Sequence, residues 1–76
     1  MSNLSERLLN LRTSSNRLQK NVANDNQIAL RTYQYYESGE REPYASILVK
    51  LADYFNVSLD YLTGRTDEPD NPNIKK

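Results

Sequence analysis

The side chains able to do chemistry in this chain are amides, guanidinium and ammonium groups, carboxylates, hydroxyls and phenols, because it contains no Cys and no His. That excludes a Cys/His zinc finger, a Ser–His or Cys–His nucleophile and a disulfide framework. Glu40 and Glu42 flank Arg41, and paired carboxylates can serve acid–base catalysis. No pocket-forming partner accompanies them, so they read as a solvated loop and no enzyme is expected. No cofactor, metal or small-molecule ligand is expected either. What remains is a set of donors between residues 19 and 35: Gln19, Lys20, Arg31, Thr32, Gln34 and Tyr35. Such side chains bond phosphate oxygens and base edges. Arg31 has the chemistry to pair bidentately with guanine O6 and N7, worth about 1–3 kcal/mol of discrimination. Its plainer reading is a solvated arginine making phosphate or internal contacts. Gln19 donates to a phosphate or caps its own helix, and Lys20 and Thr32 are candidate phosphate contacts. Leu30 meets a thymine methyl or packs on the preceding helix; both readings stand.

Donors read a groove only when a rigid element offers them together, and the sequence supplies helices. Neither Gly nor Pro occurs before Gly39. Leu4, Leu8 and Leu11 recur at helical spacing, with Glu6, Arg7, Asn10 and Arg12 on the other faces. Asn3 followed by Glu6 reads as a capping box, so a first helix is expected over about residues 4–13. A second runs from Leu18 to about Asn24, with Leu18, Val22 and Ala23 inward. A third covers residues 30–38 and ends at Gly39 in the left-handed C′ position. Tyr33 and Tyr36 face inward on it, Arg31 and Tyr35 outward, with Gln34, Leu30 and Thr32 on the flanks. Pro43 suits the first turn of a fourth helix, whose apolar stripe is Ile47, Leu48, Leu51, Ala52 and Phe55. Ser58 caps a short fifth helix, ended by Gly64. The expected fold is all-α: a bundle of five helices over residues 1–65, with a disordered tail at 66–76 rich in charge and proline.

Six tyrosines invite a single-strand stacking model. Tyr33, Tyr36, Tyr54 and Tyr61 lie instead at core or interface spacing, and Tyr35 is the outward exception. The longest apolar runs are three residues, too short to span a membrane or to form a signal-peptide core, so a cytoplasmic protein is expected.

The formal net charge is zero, which taken alone argues against a strongly basic nucleic-acid binder. The charges are segregated, however. Residues 1–36 carry five Lys/Arg against two acids, and residues 37–65 carry three against five. The donor-bearing half is mildly basic.

Four pieces of the chain carry a family resemblance: SERLLNLR at the start, the spacing of Gln19, Val22, Ala23 and Ile28, the run RTYQYYESGEREP, and LADYFNVSLDYLTGRTD. Together they resemble the Cro/C1-type helix-turn-helix domain of bacterial and phage regulators, over Leu4 to Asp67. The resemblance implies a lambda-repressor-like, five-helix DNA-binding domain, usually dimeric on a palindromic or near-palindromic operator in double-stranded DNA. It implies that Gln19 contacts a phosphate and buttresses the third helix. It places Ala29, Leu30, Arg31 and Thr32 at the major groove, lets Tyr35 reach bases or backbone, and brings the loop with Gly39 and Arg41 near phosphates. The chain departs from the pattern at the turn, where Asn26 and Gln27 replace an apolar residue and Gly. Ala29 replaces a Ser or Thr cap, and Leu18 the Ser or Thr that starts the second helix.

Two functions follow as expectations. One is a sequence-specific transcriptional regulator, a repressor, acting as a homodimer through the fifth-helix region at Leu59, Tyr61 and Leu62. The other is an antitoxin-like or anti-repressor interaction module that keeps the fold but reads no sequence.

Overall fold

The computed structural model describes residues 3–69, and all its regular structure is helical. Helix α1 spans Leu4–Ser14, α2 Gln19–Asp25, α3 Leu30–Ser38, α4 Ala45–Tyr54 and α5 Leu59–Leu62. The N-cap bonds expected at Asn3 and Ser58 form. Asn3 Oδ1 accepts from the Glu6 backbone N–H at 3.0 Å, and Ser58 Oγ accepts from that of Tyr61 at 2.9 Å. Gly39 closes α3 in the left-handed region with φ of 84°, where a side chain would be strained. Pro43 differs from expectation. It is buried and precedes Tyr44, the N-cap of α4 with extended φ −63° and ψ 160°, so it lies outside the first turn where it was expected.

The core gathers one stripe from each helix: Leu8 from α1, Val22 and Ala23 from α2, Tyr33 and Tyr36 from α3, Leu51 and Ala52 from α4, and Leu62 from α5. Ile47, Leu48 and Phe55 of the expected α4 stripe are half-buried against it. Helix α3 packs on both α1 and α2, while α5 bridges α4 and α1. Burying these apolar side chains is the main stabilising term, about 1.5–3 kcal/mol for each large one.

Four further expectations fail. Leu18 is not an inward residue of the second helix; it is the N-cap of α2, in extended conformation and 58% exposed. Asn21 Oδ1 accepts from its N–H at 3.1 Å, so α2 is capped from inside the helix in place of the missing Ser or Thr. Arg7 is not on an outer face. Its guanidinium lies 3.9 Å from the Tyr61 ring centroid, buried where α5 covers α1. Arg12 likewise turns inward, to Glu37. Leu62 is 0% exposed and belongs to the core, so it has no surface to give a partner subunit.

Of the segment expected to be a loose tail, residues 66–69 lie against the domain. Arg7 Nη2 bonds Asp67 Oδ1 at 2.9 Å, and the Ser58 N–H donates to the Pro69 carbonyl at 2.9 Å. Residues 70–76 of that segment lie outside the described residues.

Candidate nucleic-acid interface

The α2–turn–α3 unit is held by one buried carboxylate. Glu37, in the last turn of α3, accepts from Arg12 Nε at 2.6 Å and Arg12 Nη2 at 3.2 Å. It also accepts from Gln19 Nε2 at 3.0 Å and from the Tyr33 hydroxyl at 2.6 Å. Side chains of Arg12 and Glu37 are only 15% and 5% exposed. Burial pushes the Glu37 carboxyl up, but the hydrogen bonds from Arg12, Tyr33 and Gln19 outweigh it and hold the group below the ordinary carboxylate range. Burial, and then the bond to Glu37, push the Tyr33 phenol far above its usual value. A charge satisfied by four donors ties α1, α2 and α3 into one block. Glu37 escaped the sequence reading. The available signal was its place one turn after the inward Tyr33, on the same helix face.

The unusual turn is braced from α4. Asn26 is buried where an apolar residue is usual, and its Nδ2 donates to the Val22 carbonyl at 2.9 Å. Lys50 Nζ in turn donates to the Asn26 carbonyl at 2.7 Å. Gln27 takes the left-handed conformation, φ 60°, at the position usually filled by Gly. The Tyr54 hydroxyl reaches Asp25 Oδ2 at 2.6 Å, and Arg17 stacks on the Tyr54 ring at 4.7 Å. Asn and Gln thus build the turn with side-chain and backbone bonds in place of apolar packing and glycine.

With the unit fixed, its outer face can be read off. Ala29 is the exposed N-cap of α3 and makes no side-chain cap, so the leading N–H groups of the helix have no acceptor from it. Leu30 and Arg31 are exposed, and Thr32 is half-buried on the flank. Gln34 is exposed, and its Nε2 donates to Gln19 Oε1 at 3.3 Å, linking α3 to the start of α2. Gln19 therefore gives one amide N–H to Glu37, accepts from Gln34 on its amide oxygen, and does not cap its own helix. Tyr35 is half-buried, with the Arg41 guanidinium 4.7 Å from its ring centroid. Thr32, Tyr36, Arg41, Glu42 and Tyr44 line an open hollow of about 330 Å3 beside α3. Tyr44, 82% exposed, is a member that sequence reasoning passed over; its place just after Pro43 was the only signal.

The cations decide which surface is available. Arg7 is held by Tyr61 and Asp67, Arg12 by Glu37, Arg17 by Tyr54, Lys50 by Asn26, and Arg65 by Asp60 at 3.7 Å. Arg41 lies on Tyr35. Among the described residues only Lys20 and Arg31 lack an internal partner, and both are exposed. Each is the second residue of its helix, α2 for Lys20 and α3 for Arg31. The sum of charges in the N-terminal half thus overstates the positive charge on offer, since most of its arginines serve the fold.

This geometry is that of a helix-turn-helix, and a helix-turn-helix family model matches residues 8–62. The chain belongs to the Cro/C1-type helix-turn-helix family. It is 45% identical over 67 residues to the cryptic phage CTXphi transcriptional repressor RstR of Vibrio cholerae serotype O1, covering 86% of this chain and 60% of that protein. It is 35% identical over 71 residues to the uncharacterized HTH-type transcriptional regulator YobD of Bacillus subtilis (strain 168), covering 93% and 62%. The crystal structure of a transcriptional regulator from Listeria innocua superposes with a TM-score of 0.78 at 34% identity, covering 86% of this chain and 61% of that one. The chain thus spans about three fifths of the length of these relatives. Among the described residues, no helix is long and apolar enough to cross a membrane.

Proposed function

We propose that this member of the helix-turn-helix family is a sequence-specific, double-stranded DNA-binding transcriptional regulator, a repressor, with α3 in the major groove. The observation that carries the reading is the pair of uncommitted, exposed cations, Lys20 and Arg31, at the starts of α2 and α3. The names of the relatives as a transcriptional repressor and regulators support it. In this reading Arg31 pairs with a guanine edge, a contact worth about 1–3 kcal/mol. Exposed Leu30 meets a thymine methyl. Lys20 and Thr32 contact phosphates, Ala29 leaves room for the backbone at the groove edge, and Gln34 reaches a base or sugar. Gln19 keeps one amide N–H beyond its bond to Glu37, enough to donate to a phosphate.

The same reading makes the functional unit a homodimer on a palindromic operator, working where the DNA is, in the cytoplasm. Leu59 is exposed and Tyr61 half-exposed on α5, and these two form the two-fold contact, with Leu62 withdrawn into the core. The test is selection of bound duplexes from a random pool, followed by affinity measurements with Arg31→Ala. A single enriched motif, with its preference over random DNA lost in the variant, is the expected result. No enriched motif would overturn the reading.

A further inference from the structure

The structure holds three arginines against tyrosine rings. Two serve the fold: Arg7 is buried and Arg17 braces the turn through Tyr54. The third, Arg41, is exposed beside the outer face of α3. We infer that Tyr35 is a positioning residue whose ring holds the Arg41 guanidinium in place, so that the two meet a DNA phosphate as one unit. This rests on the DNA reading above and deepens it.

The chain itself brings the two residues together. Gly39 reverses the backbone after α3, and the N–H groups of Glu40 and Arg41 both donate to the Tyr35 carbonyl, at 3.0 and 3.3 Å. Residue 41 is therefore anchored over residue 35 by main chain before its side chain is considered. The guanidinium then lies 4.7 Å from the ring centroid, within the range of a cation–π contact.

Stacking and salt bridging differ in what they leave free. A carboxylate partner consumes the N–H donors of an arginine, as Glu37 does with Arg12. An aromatic partner takes the face of the group and leaves its in-plane donors open to a bidentate acceptor such as phosphate. The neighbouring acids do not intervene. Glu40 accepts from Ser38 Oγ at 3.3 Å, and among the described residues Arg41 has no ion-pair partner, with Glu42 as the acid lining the same hollow. A flexible side chain is thus partly ordered before DNA arrives, with its donors intact.

The experiment is a double-mutant cycle on a selected duplex at two salt concentrations, using wild type, Tyr35→Leu, Arg41→Ala and the double variant. Arg41→Ala lowers the slope of log affinity against log salt by about 1. Tyr35→Leu weakens wild-type binding by about two- to fivefold and costs nothing further once Arg41 is gone. Tyr35→Phe retains the ring, and with it the hold on Arg41, and loses less than Tyr35→Leu. Equal losses from Tyr35→Leu in both backgrounds, or a Tyr35→Phe loss equal to that of Tyr35→Leu, would overturn the inference. Should Tyr35→Leu not fold, the DNA-free wild type still decides: the ring must shift the Arg41 side-chain proton resonances upfield, and unshifted resonances overturn the stack. A wild type that shows the shift yet binds no duplex overturns the DNA reading and the inference with it. Additive losses in a wild type that does bind overturn the inference alone.

Discussion

Replacing Glu37 by Gln is the sharpest perturbation of the framework, because the change is isosteric and its cost follows from counted bonds. Each carboxylate oxygen of Glu37 accepts twice: Oε1 from Arg12 Nη2 and Gln19, Oε2 from Arg12 Nε and Tyr33. An amide keeps one oxygen and turns its NH2 toward two donors whichever way it is flipped. The better choice points the NH2 at Tyr33, whose hydroxyl can rotate to accept, but it still faces Arg12 Nε. Arg12, 15% exposed, is then left without a counter-charge. Removing one partner of a buried pair costs 3–5 kcal/mol, and partial water access puts this case near the lower end, at about 3 kcal/mol. A chain of this length has a total stability of roughly 4–11 kcal/mol. The melting temperature followed by circular dichroism should therefore fall by at least about 12 °C. Removing both charges in Arg12→Met/Glu37→Leu should recover part of the loss, since no lone buried charge remains. A Glu37→Gln protein melting within about 3 °C of wild type would refute the claim that this carboxylate ties the three helices together.

The remaining predictions are smaller. Glu37 has a lowered pKa in the folded state, so the unfolded chain binds more protons in acid; its contribution is complete above the ordinary carboxylate pKa and is lost as pH falls through the lowered value. Wild-type stability should drop across that acid window, and Glu37→Gln should show a flatter profile there in urea titrations. Gln27→Gly relieves a left-handed residue at φ 60°; after the added unfolded-state entropy it should stabilise by about 0.5–1 kcal/mol, and a lower melting temperature would contradict the turn geometry. Arg7 carries a buried Nη1 with no partner among the described residues. Arg7→Met, which keeps the stem over Tyr61, should melt close to wild type, while Arg7→Ala should melt clearly lower; equal losses in the two would show that charge, not packing, is the role of Arg7.

Much of the frame was legible because short-range rules govern it. The ends of α3, the left-handed Gly39, the Ser58 cap and the stripe on α4 all follow from local residue choice. Most of what escaped depends on partners distant in sequence. Periodicity sends a charged residue outward, yet Arg7 has a long apolar stem that α5 can cover and a head that Tyr61 can receive. Leu18 reads as core by type, but its extended backbone at the start of α2 turns it out. Leu62 reads as spare apolar surface until α1 and α4 close over it. At the proposed interface, Arg31 could be nominated from its helical spacing and Lys20 from its chemistry as a phosphate contact. That they are the uncommitted cations could not, because it requires knowing which tyrosine or carboxylate holds each of the others.

The central claim is tested most directly by titrating the selected duplex and a scrambled duplex of equal length with the wild-type chain at two salt concentrations. Preference for the selected sequence by a thousandfold or more, on the order of that shown by specific DNA-binding proteins, with affinity falling steeply as salt rises, is the predicted result. Equal affinity for the two duplexes would contradict the account.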